Sequence, residues 1–113
     1  MNINYSINSE HAGKFIGLLV LGVLYSIENK VISIDEAEGF IFKPSTAKIL
    51  REVLRSRELT DVIDSGCELE NIADLIPDDL SGSIKVLIHQ TLEFIRNAPE
   101  IGRLVDKEIT VIK

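Results

Sequence analysis

A run of thirteen residues near the start of the chain, Phe15 to Ile27, contains no charged side chain and constrains the fold more than any other segment. A helix that crosses a bilayer needs about 20 predominantly apolar residues, so this run is too short. A secretory signal also fits poorly, because only Lys14 supplies positive charge before the run and no small-residue cleavage site follows it. We therefore predict a core helix that is buried on most sides, in a soluble cytoplasmic protein with no membrane partner.

The length of 113 residues predicts a single globular domain over residues 1–113. A chain of this size removes roughly two-thirds of its unfolded surface from water, which is enough for a core. The hydrophobic fraction of 45% excludes disorder, and the single cysteine, Cys67, excludes an internal disulfide and multi-cysteine zinc sites. The net charge of −6 argues against a nucleic-acid partner.

Local signals predict a mainly α fold, a compact bundle of about five helices with a small two-stranded β-pair from the N- and C-terminal segments. Residues 2–7 alternate between apolar and polar side chains, which is the period of a strand. Asn8 or Ser9 offers an N-cap oxygen, and Ser33 opens an S-x-x-E capping box, so helices are expected from about Ser9 and from Ile34. Further helices are predicted from Pro44, around residues 59–66, over residues 69–76, and from Leu80 or Ser83 to Asn97.

Apolar spacing predicts which helix faces are buried. Gly13 and Gly17 lie four residues apart on the first helix, which permits the close approach of another helix. Residues 107–113 alternate and are β-branched, and we expect them to pair with the N-terminal strand because a lone strand cannot satisfy its backbone. The predicted inward stripes are Ile49, Leu50, Val53 and Leu54 on the third helix and Ile84, Leu87, Ile88, Thr91 and Ile95 on the last helix.

The negative charge is concentrated in one segment of the chain. Residues 58–80 contain eight acidic residues and neither lysine nor arginine, whereas the remainder of the chain is nearly neutral. Three of these acids recur at every third position of the predicted fourth helix, where they repel one another. The predicted partner-binding residues are the full acidic set, Glu58, Asp61, Asp64, Glu68, Glu70, Asp74, Asp78 and Asp79.

Three interpretations of this acidic segment stay open at the level of sequence. Acids near helix N-termini favour the helix dipole, which could explain Glu58, Glu68, Asp78 and Asp79. The preceding basic helix could instead fold against the acids and neutralise them through Lys48, Arg51, Arg55 and Arg57. The third interpretation is a surface kept negative for a positively charged protein partner, because complementary potentials raise association rates and fix register.

A negative surface could serve several roles. An inhibitor of a nuclease would place carboxylates in the phosphate site, whereas a mimic of nucleic acid would spread them over a longer surface. A divalent-metal site needs converging oxygen ligands, and the sequence contains neither an EF-hand loop nor an H-E-x-x-H motif. We therefore predict no metal and no cofactor.

Catalytic signatures are weak throughout the sequence. No G-x-S-x-G, Walker loop or G-x-G-x-x-G is present. His11 is expected in the first turn of a helix and His89 beside a core position, so both are predicted to be surface or core-edge residues. The acids around Cys67 raise the pKa of a thiol, which argues against a nucleophile. We predict a protein that is not an enzyme and has no catalytic residue.

Two segments of the chain resemble a family of small uncharacterised bacterial proteins. The segments are residues 17–42, GLLVLGVLYSIENKVISIDEAEGFIF, and residues 58–77, ELTDVIDSGCELENIADLIP. In that family a helix ending in L-x-x-L-E-N precedes I-S-x-x-E-A-E, and a G-x-E-L-E-D/N-x-x-x-L-I-P segment follows. This chain departs from the first motif, because Tyr25 and Ser26 stand before Ile27-Glu28-Asn29.

Small acidic proteins of this kind also resemble the immunity proteins of contact-dependent growth inhibition and related polymorphic toxin systems. The resemblance implies a cytoplasmic, non-enzymatic inhibitor of one cognate toxin, here expected to be a ribonuclease or another nuclease with a basic surface. We expect a monomer or a weak dimer. The alternatives are a small oligomeric regulatory or adaptor protein and, after that, an enzyme that uses His89 or His11.

Overall fold

The described residues of the protein, 1–101 and 109–113 in a computed structural model, form six α-helices between two short strands. The fold is mainly α, and the two ends of the chain supply the β-pair, as the sequence predicts. The elements in chain order are β1 (Asn2–Tyr5), α1 (Ser9–Glu28), α2 (Ile34–Phe40), α3 (Pro44–Glu52), α4 (Arg57–Gly66), α5 (Leu69–Leu75), a 3₁₀ turn (Pro77–Asp79), α6 (Leu80–Asn97) and β2 (Ile109–Ile112).

Capping residues set the starts of four helices. Asn8 caps α1 and Ser33 caps α2, and each side chain accepts a hydrogen bond of 3.0 Å from a backbone N–H of the first turn. Pro44 occupies the first position of α3, where a backbone N–H would have no partner within the helix, so its absence costs no hydrogen bond. Ser56 caps α4, a role that the sequence patterns did not predict. The predicted helix starts at Ser9, Ile34 and Pro44 are therefore confirmed.

Helix α1 is buried on one side only, so the prediction of a helix buried on most sides is wrong. Val20, Leu24 and Ile27 lie in the core, whereas Leu18 and Tyr25 on the opposite side are exposed. The sequence predicts a helix from about Ser9 to Glu28, and these bounds are confirmed. By length and composition α1 could cross a membrane. Within its apolar stretch of 18 residues, 28% is buried inside the protein.

The core lies between α1, α4 and α6 and is closed by the other helices. Helix α6 buries Ile84, Leu87, Ile88 and Thr91 as predicted, and Ile95 is half-buried. Helix α3 buries Leu50, but Ile49 and Val53 are exposed, which corrects the predicted stripe. A helix of nine residues that packs mainly on α4 has room to bury only a narrow stripe.

The predicted close approach at Gly13 and Gly17 is confirmed. Helices α1 and α6 pack against each other, and the Phe94 ring of α6 lies over these two glycines. A Cβ on Gly17 would be 3.3 Å from the ring, which is tighter than ordinary contact, and 3.4 Å from Ile95 Cγ1. Small residues at this position therefore let Phe94 pack against the backbone of α1.

The strands β1 and β2 form an antiparallel pair, which confirms the predicted pairing of the two chain ends. The register places Ile3 opposite Val111 and Tyr5 opposite Ile109. The Tyr5 ring stacks on Phe15 of α1 with ring centroids 4.7 Å apart, so the pair is attached to the start of the first helix. Lys107 and Glu108 of the predicted second strand lie outside the described residues.

Candidate protein-binding face

Helices α4 and α5 and the 3₁₀ turn carry the whole predicted acidic set on their solvent sides. Val62, Ile63 and Leu69 face the core from the same helices, so the acids are left on the outer surfaces. We call these eight residues the acidic face. Every one of them is exposed: Glu58, Asp61, Asp64, Glu68, Glu70, Asp74, Asp78 and Asp79.

No residue of the acidic face forms an ion pair with a cationic side chain in the described part of the chain. The ion pairs of lysine and arginine there join Lys85 to Glu28 and Arg96 to Glu93, and none of these residues belongs to the face. Within the face, Glu68 accepts a hydrogen bond of 2.8 Å from the Asn71 side chain. Among the described residues, therefore, the basic side chains of residues 48–57 do not form ion pairs that would neutralise the acids.

Arginines do lie beside one end of the acidic face. Arg51, Arg55 and Arg57 line a shallow depression of about 380 Å³ together with Asp61 and Asp64. The arginine and aspartate side chains of this depression are too far apart to form ion pairs. Exposed charges at such separations interact only weakly through water. The local charge is thus mixed at the α3–α4 end and purely acidic along α5 and the 3₁₀ turn.

The helix dipole accounts for part of the acidic face. Glu58 lies in the first turn of α4 and Glu70 in the first turn of α5, and Asp79 is the residue before α6. Carboxylates there stabilise the partial positive charge of a helix N-terminus. Asp64 and Asp74 lie too far along their helices for this effect, so the dipole does not explain the whole set.

Glu38 of α2 is half-buried beside the acidic face, although it is distant from residues 58–80 in sequence. Its Oε1 atom is buried and has no hydrogen-bond partner among the described residues. Burial raises the pKa of the Glu38 carboxyl, and the nearby carboxylates of Glu70 and Asp35 raise it further. Glu38 and Glu70 are brought together by the contact between α2 and α5, and no sequence pattern within either helix predicts that contact.

Cys67 follows α4 and is half-buried among the same acids. Burial raises the pKa of its thiol, and the negative charges of Asp64, Glu38 and Glu68 raise it further. The thiolate is the nucleophilic form of cysteine, so this environment suppresses its reactivity. The direction agrees with the one predicted from the neighbouring residues.

A groove of about 740 Å³ runs beside the α4 end of the acidic face. It lies between the start of α1, the start of α4 and the second half of α6. Glu58 and Asp61 line it together with Lys14, Arg55 and His89, and Phe94 supplies apolar surface. Two acids of the face therefore border a concave surface, whereas the acids of α5 and the turn lie outside it.

The two histidines lie in different surroundings. His89 is exposed and lines the groove, whereas His11 is half-buried with its Nε2 atom 3.4 Å from Glu10 Oε1. Neither imidazole forms a hydrogen bond to a hydroxyl or thiol in the part of the chain that the structure describes. Nucleophile–base pairs need such a contact, so the geometry supplies no support for the alternative of an enzyme.

Metal-binding side chains do not converge in the described ranges. No group of three or more histidine, cysteine, aspartate or glutamate side chains there is arranged to hold a metal ion. The acids of the face are exposed along residues 58–79.

The relationship of the chain to known proteins follows from its sequence. The family described as "Protein of unknown function (DUF3969)" matches residues 7–110, which is nearly the whole chain. The chain belongs to the DUF3969 family. The matched part of this DUF3969 protein includes all six helices, the acidic face and the groove. No curated protein and no solved structure matches the chain.

Proposed function

We propose that this protein is a non-enzymatic binding protein whose acidic face recognises a basic surface on a protein partner. The observation that carries the proposal is the set of eight exposed carboxylates without a cationic partner among the described residues. Like charges close together on a surface destabilise the folded protein through mutual repulsion. A positively charged partner removes that repulsion, and complementary potential also speeds its association.

The partner that fits best is a toxin with a nuclease-type basic surface, which makes this chain a cytoplasmic immunity protein. A nuclease binds a chain of phosphates, so its substrate site presents lysine and arginine side chains. Carboxylates on neighbouring turns of α4 and α5 could occupy such a site in place of phosphates. The resemblance of the chain to small acidic immunity proteins supports the same conclusion.

The groove suggests how the two surfaces fit together. Glu58 and Asp61 stand where the acidic face meets the groove, so a basic side chain could bind the carboxylates while apolar atoms beside it contact Phe94. Interfaces gain specificity when a charged contact is combined with a partly apolar pocket. We therefore place one edge of the partner contact at the start of α4, from which the contact extends along the acids of α5.

Growth of bacterial cells tests the proposal. The product of the gene adjacent to this one is expressed alone and together with the protein. We expect growth arrest in the first case and growth in the second. The double variant Asp61→Asn, Asp64→Asn is expected to protect poorly, because two carboxylates of the face are lost.

A matched control removes the same charge from another part of the surface. Glu52 and Glu100 are exposed acids outside the acidic face, so Glu52→Gln, Glu100→Gln changes the net charge equally. This double variant is expected to protect as well as the natural protein. A harmless neighbouring product would contradict the immunity role, and equal protection by both double variants would contradict the role of the acidic face.

A further inference from the structure

A stretch rich in positive charge directly precedes the acids of the acidic face. Residues 43–57 contain five lysine and arginine side chains and one acid, Glu52. Arg51 lies in the last turn of α3, Arg55 between the helices and Arg57 at the start of α4, and all three are exposed. We call these three residues the arginine cluster. In the described part of the chain, none of them forms an ion pair with an acid.

The connection between α3 and α4 anchors the backbone of the arginine cluster. The Ser56 N–H donates a hydrogen bond of 2.9 Å to the Leu50 carbonyl, and the Ser56 carbonyl accepts one of 2.6 Å from the buried Thr60 hydroxyl. Arg55 turns the chain between the two bonds with a left-handed φ of 53°. Since α3 and α4 also pack against each other, the three arginines border one depression before any partner binds.

The arginine cluster and the acidic face meet on one side of α4. Arg57, Asp61 and Asp64 are spaced by four and three residues along the helix, so they lie on the same helix side. The depression of about 380 Å³ is lined by all three. A partner that contacts Asp61 and Asp64 therefore also approaches the arginine cluster.

Electrostatics limits which surface can cover both groups of charges. An interface removes water, so charges interact more strongly there than on the free surface. A purely basic surface would be attracted by the aspartates but repelled by the arginine cluster, and a guanidinium covered without an anion loses hydration without compensation. A carboxylate opposite the arginine cluster removes both costs, because the planar guanidinium binds a carboxylate through two parallel hydrogen bonds.

We propose that the arginine cluster binds an acidic side chain of the protein partner, at the border of the basic surface that contacts the acidic face. The inference rests on the proposed function and specifies the partner surface, which carries both signs of charge next to each other. Paired charges of opposite sign fix the register of an interface. A nucleic acid fits this site less well, because its phosphates would also meet the carboxylates of Asp61 and Asp64.

Calorimetric titration with the product of the adjacent gene tests the inference through the sign of the effect. Arg51→Gln, Arg55→Gln makes the protein more negative, so general attraction to a basic partner predicts tighter binding. We expect instead a dissociation constant about tenfold higher, because the partner carboxylate loses its arginines. The control Lys30→Gln, Lys113→Gln removes two exposed positive charges elsewhere, and Lys30 shares the left-handed conformation of Arg55. Its affinity should be equal to that of the natural protein or higher. Thermal melts check that both variants are folded.

The possible failures can be told apart. If the natural protein binds and the arginine variant binds equally or more tightly, the inference is overturned while the proposed function stands. Equal weakening in the arginine variant and the control also overturns the inference. If the natural protein does not bind, the proposed function fails and the inference fails with it. Binding of single-stranded oligothymidylate that only the arginine variant loses would assign the arginine cluster to nucleic acid and overturn the inference as well.

Discussion

Gly66, the last residue of α4, shows how one small residue can determine the packing of two segments. It is buried, and a Cβ on it would lie 2.7 Å from Phe42 Cγ and closer still to two other ring carbons. Phe42 is itself almost fully buried, so its ring has no free space into which it could move. The helix ends where the sequence predicts, but the glycine serves close packing and has no left-handed backbone conformation.

We therefore expect Gly66→Ala to destabilise the protein although alanine favours helices. The overlap with the Phe42 ring corresponds to overpacking of a core, which costs about 1–3 kcal/mol. Chemical denaturation at neutral pH measures the free energy of unfolding. Gly82→Ala is the control, because a Cβ there meets nothing within 4 Å. That variant should gain up to about 1 kcal/mol, and a similar gain in Gly66→Ala would refute the packing role.

The raised pKa of Glu38 predicts a specific pH dependence of stability. The folded protein holds the Glu38 proton more tightly than the unfolded chain, whose carboxyl titrates near 4.5. Stability from this group is therefore fully present below pH 4.5 and declines as pH rises through the raised pKa. Glu38→Gln removes this partly buried charge and its repulsion by Glu70, so we expect a higher melting temperature at pH 7 and little change at pH 4.

A neighbouring glutamate separates this effect from a general loss of negative charge. Glu36→Gln lies on the same helix with an exposed side chain in the first turn, where a carboxylate favours the dipole. Scanning calorimetry across the pH range should show no stabilisation at pH 7 in this variant. If Glu38→Gln raised the melting temperature no more at pH 7 than at pH 4, the raised pKa of Glu38 would be contradicted.

At the scale of elements, the sequence predicted where helices begin and end better than it predicted which helix faces are buried. Capping residues such as Ser33 act through bonds within one turn, so the pattern alone locates them. Whether a helix face is covered depends on the number of neighbours, which is a tertiary property. For this reason the exposure of Ile49 on α3 and of Leu18 on α1 could not be derived from apolar spacing.

The one-sided burial of α1 predicts unequal responses to truncation of two leucines. Leu24 is fully buried, whereas Leu19 is 37% exposed. Leu24→Ala should lose about 2–5 kcal/mol because it leaves a cavity in the core, and Leu19→Ala should lose clearly less because its side chain is partly in water. Urea denaturation of dilute protein measures both. Comparable losses would mean that α1 is enclosed on both sides.

At the scale of the whole molecule, the acids are confined to one stretch of the chain, whereas exposed apolar residues are spread over several elements. The acids occupy residues 58–79, where Leu75 and Ile76 are also exposed, and other exposed apolar residues lie on α1 and the β-pair. The sequence revealed the acidic face because its eight residues all lie between residues 58 and 79. It did not reveal Glu38 or the groove, because these depend on contacts between helices that are distant along the chain.

Calorimetric titration of the protein with the product of the adjacent gene, repeated across salt concentrations, tests the central claim most directly. We predict that affinity falls steeply as salt rises, and that Asp61→Asn, Asp64→Asn weakens binding about tenfold or more at low salt and flattens that dependence. Glu52→Gln, Glu100→Gln should leave both unchanged. An affinity that is independent of salt, and equal in the natural protein and the Asp61, Asp64 variant, would contradict recognition through the acidic face.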